Sequence, residues 1–139
     1  MNNKMPQLLN HIDYIGRQKQ RDVLTVEFHN FKTGFTGDYR QSQVRIDILA
    51  AFDLNGIAYQ ECIGYASETR FDSYRGQIYI DVPFDRADQQ YRIVEALLEN
   101  VDGTTKFDKA WFIAYSLDFC MKNVHHDAPG FWDHLMETY

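Results

Sequence analysis

The sequence has few cysteines and no long apolar run, and both shortages narrow the class of protein. Cys62 and Cys120 lie far apart and outside any C-x-x-C motif, so they form no disulfide framework. Buried free thiols in a reducing cytoplasm are expected instead. No stretch approaches the roughly 18 apolar residues of a membrane span, and the N-terminus lacks the apolar segment of a signal peptide. We therefore expect a cytoplasmic protein without membrane contact.

Basic residues are also in short supply. The chain has 14 Lys and Arg against 20 Asp and Glu, a formal net charge of −6. A nucleic-acid binder normally carries a basic stripe, and the densest basic stretch here is the alternating Arg17, Lys19 and Arg21. We interpret this stretch as the solvated end of a first helix rather than as a phosphate contact. Nucleic acid is not expected as a partner, whereas a protein with a basic surface suits the negative charge.

The chain does contain enough apolar residues for a core. Hydrophobic residues make up 45% of 139 positions, which is typical of one globular domain over residues 1–139 that needs no metal or disulfide to fold. Nine of the residues are tyrosines, whose rigid apolar rings carry a polar tip. Tyrosines of this kind are typical of binding surfaces and also of ordinary sheet faces.

Hydrophobic periodicity predicts a helix, then the order β-α-β-β-α-β, then a helical tail. The segment 42–55 is ambiguous because QVRIDIL alternates like a strand, while Val44, Ile48 and Phe52 recur every four residues. The following Asn55-Gly56 pair resembles a helix stop and favours a helix. Helices are predicted at 6–20, 42–55, 88–101 and 117–124 and after Pro129-Gly130, and strands at 22–29, 57–65, 77–82 and 110–116.

This order predicts an α+β fold of the ferredoxin-like type, with a βαββαβ core. Its four-stranded antiparallel sheet carries two helices on one face, and the added N-terminal helix and helical C-terminal tail are the expected cover of the other face. The fold hosts many unrelated functions, so it carries little functional information.

Polar side chains alternate with the core residues on the first and third strands, which are neighbours in this topology. They should lie on the sheet face opposite the core. Carboxylates and an imidazole within reach of one another can bind a divalent cation or perform acid–base chemistry. The same alternation also fits a solvated sheet face or a partner-binding face. The candidate binding residues on this face are Glu27, His29, Glu61, Tyr79 and Asp81.

The C-terminal stretch NVHHDAPGFWDHLMETY holds three of the five histidines. The adjacent His125 and His126 diverge on either a helix or a strand, and no H-E-x-x-H spacing is present. A secondary metal candidate combines His126, Asp127 and His134, provided that the Pro129-Gly130 turn folds the tail back. The alternative is a packing helix, with Asp127 as its N-cap. No cofactor motif is present, and neither a cofactor nor a metal is expected.

These features favour a small acidic protein-interaction module, such as a bacterial or phage immunity or inhibitor protein that neutralises a basic partner by binding. Two alternatives remain open. One is a small metal-dependent or acid–base enzyme that uses the outer sheet face. The other is a ferredoxin-like ligand-binding domain that forms a homodimer. Because the sequence contains no catalytic motif, it favours a binding protein over an enzyme and specifies no catalytic residue.

Overall fold

The computed structural model describes residues 10–28, 39–69, 74–107 and 109–138. Within these residues the chain forms five α-helices and four strands, and a 3₁₀ turn precedes the second helix. The helices are α1 (Ile12–Lys19), α2 (Gln43–Leu54), α3 (Gln89–Leu98), α4 (Leu117–Met121) and α5 (Phe131–Thr138), and a second 3₁₀ turn, Val124–Asp127, lies between α4 and α5. The strands are β1 (Val23–Phe28), β2 (Tyr59–Glu61), β3 (Ile78–Ile80) and β4 (Ala110–Tyr115).

The four strands form one antiparallel sheet in the order β2-β3-β1-β4. Leu24 of β1 lies opposite Ile80 of β3 on one side and Ala114 of β4 on the other. Directly opposite residues of an antiparallel pair share a face, so this register decides which side chains meet. The predicted α+β class with a four-stranded antiparallel sheet is confirmed.

The main core lies on the sheet face that the alternation of β1 and β3 predicts. Leu24 and Val26 of β1 are each 1% exposed, and Ile78 and Ile80 of β3 are fully buried. Burial of such side chains is the main stabilising contribution to a domain of this size. Helices α2 and α3 cover this face and contribute Ile48, Phe52, Tyr91, Val94 and Leu98 to the core.

A second, smaller core lies on the opposite sheet face, beneath α1 and α4. Gly16 lets these helices approach closely, because a Cβ atom at this position would lie 2.4 Å from the Cys120 Sγ. The expectation that the N-terminal helix and C-terminal elements cover this face is confirmed for α1 and α4. Its buried members are Ile12, Ile15, Val23, Cys62, Tyr79 and Cys120.

The ambiguous segment 42–55 is a helix, as the Asn55-Gly56 stop indicates. The Ser42 hydroxyl accepts a hydrogen bond from the Arg45 amide at 3.3 Å, and the Asp88 carboxylate accepts one from the Tyr91 amide at 3.0 Å. Both side chains satisfy an amide in the first turn of their helix, which stabilises α2 and α3 at their N-termini.

Several elements are shorter than the sequence predicts, and other backbone hydrogen bonds begin at or soon after the ends of two of them. Strand β2 stops at Glu61, and the Ile63 carbonyl then accepts a hydrogen bond from the Ile12 amide at 3.2 Å. Helix α3 stops at Leu98, whose carbonyl accepts from the Lys106 amide at 2.7 Å. Helix α4 ends at Met121, and residues 6–9 of the predicted first helix lie outside the described residues.

Candidate functional site

Three side chains from two distant segments converge on one point at the surface. One carboxylate oxygen of Glu68, Oε2, lies 2.7 Å from Nε2 of His125 and 2.8 Å from Nε2 of His126. All three potential ligand atoms lie within 4.8 Å of one another. We call Glu68, His125 and His126 the Glu–His–His cluster.

The local backbone explains how two adjacent histidines reach the same oxygen. His125 and His126 lie on the 3₁₀ turn Val124–Asp127, and their ring centroids are 4.4 Å apart with planes at 69°. The prediction that adjacent imidazoles diverge from a common site is therefore wrong. Side-chain rotation compensates for the angle between successive Cα–Cβ bonds, so both Nε2 atoms reach the same carboxylate oxygen.

His126 is held rigidly in this cluster. Its side chain is 1% exposed and packs between Phe131, at 4.7 Å between ring centroids, and Trp132, at 4.9 Å. Its second ring nitrogen, Nδ1, is buried and has no hydrogen-bond partner among the described residues. By contrast, the side chains of His125 and Glu68 are 52% and 44% exposed, so the cluster opens to solvent on their side.

The electrostatics of the cluster favour an ionised carboxylate. Hydrogen bonds from His125 and then His126 lower the pKa of the Glu68 carboxyl. At neutral pH this group therefore carries a full negative charge beside two imidazole nitrogens. Two imidazole nitrogens and one carboxylate oxygen form a donor set that suits a divalent transition metal ion.

Helix α1 anchors both segments that carry the cluster. The Asp13 carboxylate, fully buried, accepts hydrogen bonds from the Ala66 amide at 2.9 Å and from Nδ2 of Asn123 at 2.8 Å. Ala66 lies two residues before Glu68, and Asn123 lies two residues before His125. A single buried carboxylate thus sets the position of the two loops relative to each other.

Asp127 belongs to a different interaction from the one predicted. Its carboxylate accepts hydrogen bonds from Nε and Nη2 of Arg17, both at 2.8 Å, and Nη1 of Arg17 donates to the Cys120 carbonyl at 3.1 Å. Arg17 is 5% exposed, so its interpretation as part of a solvated helix end is wrong. Asp127 is also not the N-cap of the last helix, because α5 begins at Phe131.

The group of potential metal ligands in the structure therefore differs from the predicted histidine–aspartate site. Of its three residues, only His126 belongs to the group of potential metal ligands found among the described residues. His134 is on α5, 79% exposed, with Oε1 of Glu137 at 4.0 Å from its Nδ1. Glu68 and His125 take the places of Asp127 and His134, and the sequence contained no signal for Glu68 other than its acidic side chain in a polar connection.

A cavity of about 480 Å³ lies beside the cluster. His126 lines both the cavity and the cluster, and the cavity wall also includes His11, Trp132 and the Arg17–Asp127 pair. Burial lowers the pKa of His11, which keeps this imidazole neutral at physiological pH. The cavity combines aromatic rings with a fixed ion pair, and such mixed walls are typical of small-molecule pockets.

The structure brings Tyr79 and Asp81 together on the outer sheet face. The Tyr79 hydroxyl donates to Oδ1 of Asp81 at 3.0 Å, and the same oxygen lies 2.6 Å from Nη2 of Arg21. Lys19 adds a second cation at 3.5 Å from this oxygen. Burial raises the pKa of Tyr79 to about 12, so the phenol stays protonated at neutral pH. In this network one carboxylate contacts two cations and a protonated phenol.

The remaining candidates do not join Tyr79 and Asp81. Glu61 lies opposite Ile78, hence on the face of the main core, where its carboxylate pairs with Arg45 of α2 at 3.1 Å. The Tyr115 hydroxyl donates a hydrogen bond to Oε2 of Glu27. His29 lies outside the described residues. The predicted cluster of five residues is thus divided between separate interactions.

Glu27 lies within a set of aromatic side chains at the edge of the sheet. In the register with β1, Trp111 lies opposite Glu27, and Ile113 and Tyr115 share this face by alternation. Tyr65 and Phe119 extend the set, with ring centroids 5.0 Å apart. Trp111 is 51% exposed and Tyr65 52%. We call these five residues, Tyr65, Trp111, Ile113, Tyr115 and Phe119, the β4 aromatic surface.

Both cysteines are buried free thiols, as predicted. Burial raises the pKa of Cys62 above its ordinary range and that of Cys120 to about 11. A thiol acts as a nucleophile only when it is deprotonated, so these side chains are inert at neutral pH.

Comparison with protein-family models, with curated proteins and with solved structures finds no significant match to this chain. In the part of the chain that the structure describes, no helix is both long enough and apolar enough to span a bilayer.

Proposed function

We propose that this protein is a small acidic interaction module that binds a protein partner with a basic surface, in the manner of an immunity or inhibitor protein. The β4 aromatic surface carries this proposal. It presents two half-exposed large rings, Trp111 and Tyr65, at one edge of the sheet. Tryptophan and tyrosine dominate the energetic centres of protein interfaces, because they bury a large rigid area at a small entropic cost.

The position of this surface favours a protein over a small ligand. Strand β4 forms one edge of the described sheet, and an edge strand can accept an added strand through its main-chain groups. Trp111 and Tyr115 lie along the outer face of the same strand, and Tyr65 and Phe119 pack beside Tyr115. A partner that aligns with β4 contacts both its backbone and its aromatic side chains.

The charge of the chain favours a basic partner. The net charge is −6, and Glu27 lies opposite Trp111 within the aromatic surface. Complementary charge accelerates encounter with a partner of the opposite sign and disfavours partners of the same sign. A second copy of the chain carries the same negative charge, so a basic protein is a better complement than a homodimer.

The ferredoxin-like fold is part of this proposal. From β1 to β4 the described elements follow the order β-α-β-β-α-β, and the strand order from the other edge of the sheet is β4-β1-β3-β2. A split βαβ arrangement, in which each crossover skips over one antiparallel strand, supports this assignment.

We also propose that residues 1–139 form a single domain and that the protein is cytoplasmic. The two buried free thiols support a reducing compartment.

The two alternatives have weaker support. An acid–base enzyme on the outer sheet face needs a free carboxylate, whereas Asp81 pairs with Arg21 and Lys19. A ligand-binding homodimer of the ferredoxin-like type needs an open sheet face, whereas α1 and α4 cover part of it.

Affinity capture with matched variants tests the proposal. Wild-type protein, Trp111→Ala and Leu54→Ala are immobilised and exposed to a lysate of the source organism. Leu54 is 87% exposed on α2, on the other side of the sheet, and serves as the control for loss of an exposed apolar side chain. Circular dichroism verifies that each variant is folded.

We expect the wild type and Leu54→Ala to capture the same basic protein, with retention that weakens as salt concentration rises. Trp111→Ala should weaken binding of the purified partner by roughly 30-fold, as is typical for an interface hot spot. Equal capture by all three proteins, or capture of nothing, overturns the proposal. A homodimer in light scattering that Trp111→Ala dissociates overturns it in favour of self-association.

A further inference from the structure

We propose that the Glu–His–His cluster binds a divalent transition metal ion of the zinc class, through Nε2 of His125, Nε2 of His126 and a carboxylate oxygen of Glu68. This site is independent of the interaction function proposed above. The main evidence is that three suitable ligand atoms lie within 4.8 Å of one another, although Glu68 is 57 residues from His125 in the sequence.

The donor types decide the class of ion. Two imidazole nitrogens and one carboxylate oxygen suit Zn²⁺ and its neighbours in the first transition row, whereas Mg²⁺ and Ca²⁺ prefer sites built only from oxygen. Three protein ligands leave a fourth tetrahedral position for water or another ligand. The exposed sides of Glu68 and His125 leave this position open to solvent.

The distances permit a metal after a small adjustment. Metal–ligand bonds of about 2.0–2.1 Å in tetrahedral geometry separate ligand atoms by about 3.3 Å. The Oε2–Nε2 distances in the cluster are 2.7 and 2.8 Å, so the ligand atoms must move apart by roughly half an ångström. This movement falls on the half-exposed side chains of Glu68 and His125, whereas the buried His126 stays in place.

The surroundings preorganise the ligands. Asp13 anchors the Ala66 amide and the Asn123 side chain, which flank the two ligand segments. Arg17 holds Asp127, the residue after His126, through two hydrogen bonds of 2.8 Å. Metal sites depend on such supporting interactions, because ligands fixed in advance lose less conformational entropy on binding.

One feature limits the affinity. When Nε2 of His126 binds a metal, its ring proton moves to Nδ1, which is buried without a hydrogen-bond partner among the described residues. Metal-ligating histidines usually donate this proton to an acceptor, and loss of such a partner reduces affinity by about 10–100-fold. We therefore expect a dissociation constant for Zn²⁺ in the micromolar range rather than the nanomolar range.

Titration of the full chain with metal alone tests the site. Calorimetry with Zn²⁺ gives the stoichiometry and affinity, and absorption spectra with Co²⁺ report the coordination geometry. The ligand variants are Glu68→Gln and His125→Ala, chosen because both side chains are about half exposed and their loss leaves the core intact. His134→Ala, at an exposed position on α5 outside the cluster, is the matched control.

We expect one Zn²⁺ per chain, a Co²⁺ spectrum typical of four-coordination, and no binding of Mg²⁺ or Ca²⁺ at the same concentration. Glu68→Gln and His125→Ala should each weaken Zn²⁺ binding by about tenfold or more, and His134→Ala should bind like the wild type. Absence of saturable Zn²⁺ binding overturns the proposal. Equal affinity of the ligand variants and the control, or equal binding of Mg²⁺, also overturns it.

Discussion

Arg17 and Asp127 lie 110 residues apart in the sequence, and their side chains form two parallel hydrogen bonds of 2.8 Å each. The Arg17 side chain is 3% exposed and also contacts the fully buried Asp13 at 3.3 Å. The guanidinium therefore forms ion pairs with two carboxylates, one on α1 and one on the C-terminal turn. Hydrogen bonding to Asp127 raises the pKa of Arg17 further above its already high value.

Replacement of Arg17 by methionine should destabilise the protein by about 3–5 kcal/mol, because it leaves the buried Asp13 without its cation. The free energy of unfolding in urea measures this loss. Lys19→Met on the same helix is the control, and since the Lys19–Asp81 pair is about half exposed, its loss should cost less than about 1 kcal/mol. Equal losses of stability in the two variants would show that Arg17 does not stabilise the buried Asp13 carboxylate.

Gly16→Ala should destabilise the contact between α1 and α4. Alanine favours a helix over glycine by about 1 kcal/mol, but its Cβ would lie 2.4 Å from Sγ and 2.8 Å from Cβ of the buried Cys120. The steric overlap should outweigh the helix preference and reduce the free energy of unfolding by about 1–3 kcal/mol.

Thermal and urea unfolding measure the Gly16→Ala effect, and Gly64→Ala is the control because its Cβ would meet no atom within 4 Å. Adding Cys120→Ala to Gly16→Ala should recover part of the loss, since it removes the closest atom. A stabilised Gly16→Ala protein would contradict the close approach of the two helices.

The two thiols should react only after unfolding. Cys62 and Cys120 are both fully buried, and burial raises the pKa of each. An aromatic disulfide reagent at pH 8 should modify the native protein slowly and both thiols rapidly in urea. Rapid modification of one thiol per native chain would contradict the burial of that cysteine.

His11 should make the protein less stable in mild acid. Burial lowers the folded-state pKa of His11 below the ordinary value of 6.5. The charges of His126 and Arg17 lower this pKa further, and the Asp13 carboxylate raises it. The unfolded chain then binds the extra proton more readily, so its population rises as the pH falls. The contribution of the neutral His11 imidazole to the free energy of unfolding is fully present above pH 6.5. It declines as the pH falls below 6.5 and stops changing below the folded-state pKa of His11.

Urea unfolding between pH 5 and pH 8 measures this dependence. His11→Gln should reduce the slope of stability against pH, because glutamine does not titrate. His134→Ala, which removes an exposed imidazole instead of a buried one, is the matched control. An identical slope in wild type and His11→Gln would contradict the role assigned to burial of this ring.

Local pattern predicted most of the secondary structure and the main core. The alternation of Leu24, Val26 and Phe28 specified the buried face of β1, because side chains of a strand alternate between its two faces. The four-residue recurrence in 42–55, together with Asn55-Gly56, identified α2. Element ends were less predictable. The chain after β2 pairs with the distant Ile12, and the last carbonyl of α3 pairs with Lys106 in the loop that follows it.

The candidate site was predicted only in part. The sequence drew attention to His126 and to the outer sheet face, but it grouped His126 with Asp127 and His134 and grouped Glu61 with Tyr79 and Asp81. The true neighbours of His126 and Glu61 are Glu68 and Arg45. Periodicity specifies the face on which a side chain lies, but it contains no information about which loops meet above that face.

The sequence by itself thus determined the α+β class, the main core, the helical state of 42–55 and the burial of both cysteines. These properties depend on residue type and on periods of 2 and 3.6 residues, which are local. The tertiary structure alone decided the Arg17–Asp127 pair, the β4 aromatic surface and the convergence of Glu68 with His125 and His126. These depend on how α1 anchors segments more than 50 residues apart, through the buried carboxylate of Asp13 and the guanidinium of Arg17.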